Sequence, residues 1–139
     1  MDKVFIDADV LLDLYVLREP HHDNALRLFS LLKQSRTPCY TSPVVVANVS
    51  YILAKLQNRQ YAVEKLRRMR KLVSIAPINE STVDAALSLP YKDFEDSIQF
   101  HCAVQNAIGT LITRNTRDYP GGQLRVVDPA QYLGMAQGA

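Results

Sequence analysis

Lys3-Val4-Phe5-Ile6-Asp7-Ala8-Asp9-Val10-Leu11-Leu12-Asp13-Leu14-Tyr15 reads as a short apolar strand, Lys3 to Ile6, that meets an acid at once and then turns into a short helix from Val10. A carboxylate directly after a buried strand either caps the next helix or serves a site at the edge of a sheet. The same pattern of strand then helix recurs along the chain. Asp23 to about Lys33 has the 3, 4, 7 apolar spacing of an amphipathic helix, through Ala25, Leu28, Phe29 and Leu32, with His22 or Asp23 at its start. Cys39 to Thr41 predicts a second strand, and Ser42-Pro43 supplies a cap and a first-turn proline for a helix reaching about Gln57. Valines at 44, 45, 46 and 49 are poor helix formers, so that helix has to be stabilised by burial.

A helix from about Gln60 to Lys71 precedes a third strand at Val73 to Ala76, and Asn79 or Ser81 caps a helix running through Leu89 to Pro90. Asp93 caps another from Phe94 to about Ile108, with Gly109 expected just past its end in the left-handed position. Thr110 to Thr113 and Arg125 to Val127 complete the strands, separated by a loop ending in Pro120-Gly121-Gly122, and Asp128-Pro129 starts a last turn to Leu133. Strands alternating with helices, with no tight hairpin signal between the first four strands, predict an α/β fold with a mainly parallel sheet of four to five strands covered on both faces. One domain over residues 1–133 is expected, with 134–139 as a flexible C-terminal tail.

Composition narrows the function. The chain has 139 residues, 47% hydrophobic and 22% charged, which suits a single globular core. No apolar run nears the roughly 18 residues of a membrane span, and Asp7 interrupts any leader-like stretch, so a cytoplasmic protein is expected. Cys39 and Cys102 lack zinc-site spacing and read as buried thiols. A net charge of +2 is too small to imply a nucleic-acid partner by itself. The positive charge is clustered, however. Lys65, Arg67, Arg68, Arg70 and Lys71 fall within one helix, either as a solvated face or as phosphate contacts.

Three acids stand where such a sheet would carry its chemistry: Asp7, Asp96 and Asp118. Each has a plain alternative. Asp7 can be a cap, Asp93 and Asp96 sit in a helix's first turn where negative charge is favoured, and Asp118 can be an ordinary loop residue. Strands one and four as neighbours would bring Asp7 and Asp118 to one crevice. Two carboxylates about 4 Å apart repel by roughly 4 kcal/mol at an effective dielectric near 20, so a converged cluster takes up protons or holds a cation. Oxygen ligands of this kind suit Mg²⁺ or Mn²⁺. His21, His22 and His101 lack the spacing of ligand pairs, Ser42 lacks a nucleophile turn, and no glycine-rich phosphate loop follows the first strand.

Val4-Phe5-Ile6-Asp7-Ala8-Asp9-Val10-Leu11-Leu12-Asp13, Thr41-Ser42-Pro43-Val44-Val45-Val46-Ala47-Asn48, Asp96-Ser97-Ile98-Gln99-Phe100-His101-Cys102-Ala103 and Thr113-Arg114-Asn115-Thr116-Arg117-Asp118-Tyr119 resemble the successive motifs of the PIN-domain family, from Val4 to about Leu133. The resemblance implies a three-layer α/β/α domain acting as a Mg²⁺- or Mn²⁺-dependent endoribonuclease, in many small members a VapC-like toxin held by an antitoxin and usually dimeric. It implies that Asp7, Asp96 and Asp118 ligate the metal and are catalytic, with Asp9, Ser42, Asn48, Thr113 and Asn115 around the site. RNA is the implied substrate, and the basic helix would supply phosphate contacts. Asn48 departs from the family pattern, which has a glutamate there, and removes one negative charge. Asp9 or Asp93 would restore it, and Asp93-Phe94-Glu95-Asp96 is similar to a variant in one branch of the family, which favours Asp93. The alternative is a PIN module, weakened or inactive, that binds RNA or a protein without cleaving.

Overall fold

A computed structural model describes residues 2–88, 93–119 and 122–137. Strand β1 (Val4–Ile6) leads into α1 (Ala8–Asp13) and α2 (His21–Gln34), then β2 (Cys39–Thr41), α3 (Pro43–Leu56) and α4 (Arg59–Met69). Next come β3 (Ser74–Ile75), α5 (Glu80–Ser88), α6 (Phe94–Gln105), β4 (Thr110–Ile112), a 3₁₀ turn (Thr116–Asp118), β5 (Arg125–Val127) and α7 (Pro129–Gln137). The strands pair in parallel in the order β3-β2-β1-β4-β5. Helices flank the sheet in a three-layer α/β/α arrangement. Among the described residues no helix is long and apolar enough to cross a membrane.

That order decides where a ligand can sit. The chain builds outward from β1 to β3, then returns to place β4 on the other side of β1, so the direction reverses between β1 and β4 and a crevice opens beyond their carboxyl ends. Val4, Phe5 and Ile6 face Thr110, Leu111 and Ile112 in register. Asp7 and Thr113 therefore emerge side by side, and the Asp7 amide still donates to the Ile112 carbonyl at 3.0 Å.

The strands are only two or three residues long, and β1 and β4 are buried throughout, as expected of a sheet covered on both faces. Phe5, Ile6, Leu11, Leu28, Leu53, Met69, Leu111 and Ile112 form the centre of the core. Ser42 caps α3 by accepting from the Val45 amide at 3.1 Å, with Pro43 in the first turn. Val45, Val49 and Leu53 of that helix are fully buried, so packing stabilises a segment whose propensity is poor. Both cysteines are free and buried, and burial pushes each thiol up to about 11.

Several details differ from expectation. The left-handed residue after α6 is Ala107, with φ 57°, and not Gly109. Ile108 donates to Ala103 at 2.9 Å and Ala107 to Val104 at 3.2 Å, the two bonds of a Schellman end, which closes the helix early enough to bury Ile108. Arg36, with φ 55°, ends α2 in the same way. Asn58 caps α4 one residue earlier than predicted. Helix α7 continues past Leu133 to Gln137 where a tail was expected, because it packs on α2, with Leu133 and Gly134 beside Leu31 and Gln34. The predicted stop at Leu89 and Pro90, the Pro120-Gly121 part of the last loop, and residues 138–139 lie outside the described residues.

Candidate metal centre

Asp7 follows β1 at the carboxyl edge of the sheet and caps α1. Its Oδ1 accepts from the Ala8 amide at 2.8 Å, while Oδ2 faces the hydroxyls of Thr113 at 2.9 Å and Tyr119 at 3.0 Å. The side chain is almost wholly buried, and that burial raises its pKa above the ordinary carboxylate range against the pull of these donors. The charge of Asp118 adds to the rise.

Asp96 comes from the first turn of α6. The Tyr119 hydroxyl lies 3.2 Å from its Oδ1, so one phenol touches both acids. A phenol has one proton to donate, and with both acids ionised only one can receive it. Burial, then the charges of Asp7, Asp93 and Asp118, push the Asp96 carboxyl from 3.8 to about 7. Asp9 is raised to about 6, by burial first and then by Asp7, although its Oδ2 accepts from the Arg114 amide at 2.9 Å.

These shifts carry a sign. A carboxyl whose pKa is raised on folding holds an extra proton in the native state between its ordinary 3.8 and its folded value of about 7. Without divalent cations, stability should therefore fall as pH rises through that window. Thermal unfolding in chelator from pH 4 to pH 8 checks it: the Asp96→Asn variant should show a shallower fall than the parent, and identical slopes would contradict the shift.

Asp7, Asp9, Glu95 and Asp96 line one cleft of about 420 Å³ together with the amides of Asn48, Gln99 and Asn115. Asn48 projects from α3, and its Nδ2 donates to Glu95 Oε2 at 2.8 Å. Ser42, buried, donates to Gln99 Oε1 and so fixes one wall. Thr113 donates to Asp7, and its Oγ1 also accepts from the Asn115 amide at 3.1 Å. Of the two acids expected to offset Asn48, Asp9 lines the cleft and Asp93 does not; the Asp93 carboxylate caps α6, accepting from the Glu95 amide at 2.8 Å. Asp118 is exposed in the 3₁₀ turn and acts on Asp7 and Asp96 through its field without lining the cleft.

The basic cluster lies elsewhere. Arg68, Arg70 and Lys71 border a groove with Cys39 and Ser74, the first residues of β2 and β3, and so sit at the sheet edge opposite the acids. Arg67 lines a second groove on α4. Lys65 stands over the rings of Tyr15 and Tyr61.

Glu95, Gln99 and Tyr119 are site residues that the sequence reading missed. Glu95 had a signal, being next to Asp96 in the same first turn; Tyr119 had only its adjacency to Asp118. Among the described residues no three His, Cys, Asp or Glu side chains are drawn together closely enough to hold an ion as they stand. The donor set nevertheless fits a hard divalent cation: carboxylates and amide oxygens only, with acids whose charges raise one another's pKa.

An acidic cleft at the switch point of a short parallel sheet defines a class of carboxylate-bearing α/β/α domains. Residues 3–117 match the model of the PIN domain, and the chain belongs to that family. It is 23% identical to Ribonuclease VapC1 of Aquifex aeolicus over 136 residues, covering 94% of this chain and 93% of the relative. The VapBC2 complex of Rickettsia felis, bound to a promoter DNA fragment, superposes with a TM-score of 0.69 at 15% identity, covering 90% of this chain and 97% of that one. A toxin-antitoxin complex from Klebsiella pneumoniae gives 0.68 at 23% identity, covering 91% and 98%.

Proposed function

We propose that the protein is a divalent-cation-dependent endoribonuclease, the toxin of a toxin-antitoxin pair. The observation that carries this reading is the pairing of buried Asp7 with half-buried Asp96, joined by one phenolic hydroxyl at the carboxyl edge of the sheet. The family match and the ribonuclease relative of nearly equal length support it. Asp7 and Asp96 would hold Mg²⁺ or Mn²⁺, with Asp9 beside them and Asp118 adding negative field. When bound, such a cation supplies Lewis acidity toward a phosphoryl oxygen and acidifies water for attack on the phosphodiester. Thr113 and Tyr119 orient Asp7, and exposed Asn115 offers an amide group to the RNA backbone.

The basic residues of α4 would meet RNA only on segments away from the scissile phosphate, given their place at the opposite edge. An antitoxin is the expected protein partner, and both it and RNA are met in the cytoplasm. Exposed Tyr51, Ile52 and Leu56 on α3, the first two lining the cleft, support a homodimer through that helix. The competing reading, a PIN module that binds without cleaving, is favoured only by the neutral Asn48.

The test is cleavage of a labelled RNA by purified protein. Cleavage in Mg²⁺ or Mn²⁺ that stops with EDTA and returns with excess cation is expected. Cleavage unaffected by EDTA, or none in either cation, would overturn the reading.

A further inference from the structure

Helix α3 brings an uncharged side chain, Asn48, to a cleft that four acids, Asp7, Asp9, Glu95 and Asp96, also line. A long glutamate in the exposed first turn of a helix ordinarily extends into water, where it keeps its rotamer freedom. Glu95 is instead turned across the cleft mouth and held by a hydrogen bond from Asn48 Nδ2, 47 residues away in sequence and on another helix. A carboxylate at position 48 would repel Glu95 there; an amide can fix it. Asp93 caps α6 and, unlike Glu95, does not line the cleft.

Resting on the cation-dependent reading above, we propose that Glu95, presented by Asn48, is a further ligand of the divalent cation and supplies the negative charge that α3 does not. Asn48 is then a positioning residue, and the two side chains together replace a single acid. This arrangement places four carboxylates, from Asp7, Asp9, Glu95 and Asp96, around one cleft. Affinity for a hard cation depends on the number of charged ligands, so losing one of the four should be measurable without any turnover.

The experiment is isothermal titration of the metal-free protein with MnCl₂, using Glu95→Gln, Asp7→Asn and the double variant Asn48→Glu with Glu95→Gln. Glu95 is exposed, so its replacement should leave the metal-free thermal midpoint in place. Glu95→Gln is expected to weaken Mn²⁺ binding about tenfold, and the double variant to regain most of that loss by carrying the acid on α3. Parental affinity in Glu95→Gln, alongside lost binding in Asp7→Asn, would overturn the role of Glu95 and leave the cation site standing. A double variant no stronger than Glu95→Gln would overturn the equivalence of the two positions. Absence of Mn²⁺ binding by the parent at millimolar concentration would overturn both this inference and the reading beneath it.

Discussion

Asp7→Asn should lower RNA cleavage by roughly a thousandfold, the kinetic equivalent of about 4 kcal/mol, because it removes the most buried carboxylate of the proposed cation site. The same change should not unfold the protein. The native fold already strains to keep Asp7 ionised, since burial raises its pKa, and a neutral amide of the same shape relieves that cost. Thr113 and Tyr119 carry hydroxyls that can accept as well as donate, so they can serve the new amide. Cleavage assays beside thermal unfolding in chelator separate the two effects. A variant with full activity would remove Asp7 from the chemistry, and one that unfolds would make its role structural.

The second large effect concerns folding. Asp13 lies at the end of α1 with its side chain only 2% exposed, and Arg114 meets it twice, Nε to Oδ2 at 2.8 Å and Nη2 to Oδ1 at 3.3 Å. Removing one partner of a buried pair leaves an uncompensated charge, at a cost of about 3–5 kcal/mol. Arg114→Ala should therefore lower the thermal midpoint by about 10–20 °C. It should also loosen Asp9, which accepts from the Arg114 amide, and the adjoining Thr113 and Asn115. The double replacement Asp13→Leu with Arg114→Met should recover most of the stability, since apolar substitutes for both partners avoid the buried charge. Calorimetric unfolding of the three proteins checks this. A loss under about 1 kcal/mol in Arg114→Ala would mean that water reaches Asp13.

The parallel sheet was legible because its signals are local: apolar runs of a few residues, caps such as Ser42-Pro43, and helices between the strands. Asp7 and Asp96 were legible from their places at the ends of such elements, once the order of motifs suggested that they meet. Glu95 was not, because an acid in the first turn of a helix is already accounted for by the helix dipole, and its partner Asn48 belongs to a different helix. Tyr119 is separated from Asp7 by 112 positions, and nothing in a single sequence distinguishes a phenol that joins two acids from one that fills a core. The basic run between Lys65 and Lys71 shows the reverse error: composition revealed the charge but not the edge of the sheet on which it stands. Ala107 replaced Gly109 at the end of α6 because burial of Ile108 outweighed the mild cost of a left-handed alanine.

The brevity of β1 carries a final consequence. Ile6, fully buried, is joined directly to Asp7, whose amide is still tied to β4. No spare length of strand lies between oily interior and reacting edge to soak up a disturbance. A change in the packing of Ile6 therefore bears directly on the residue that carries the acid, so substitutions in these few positions act on the fold and on the placement of Asp7 together.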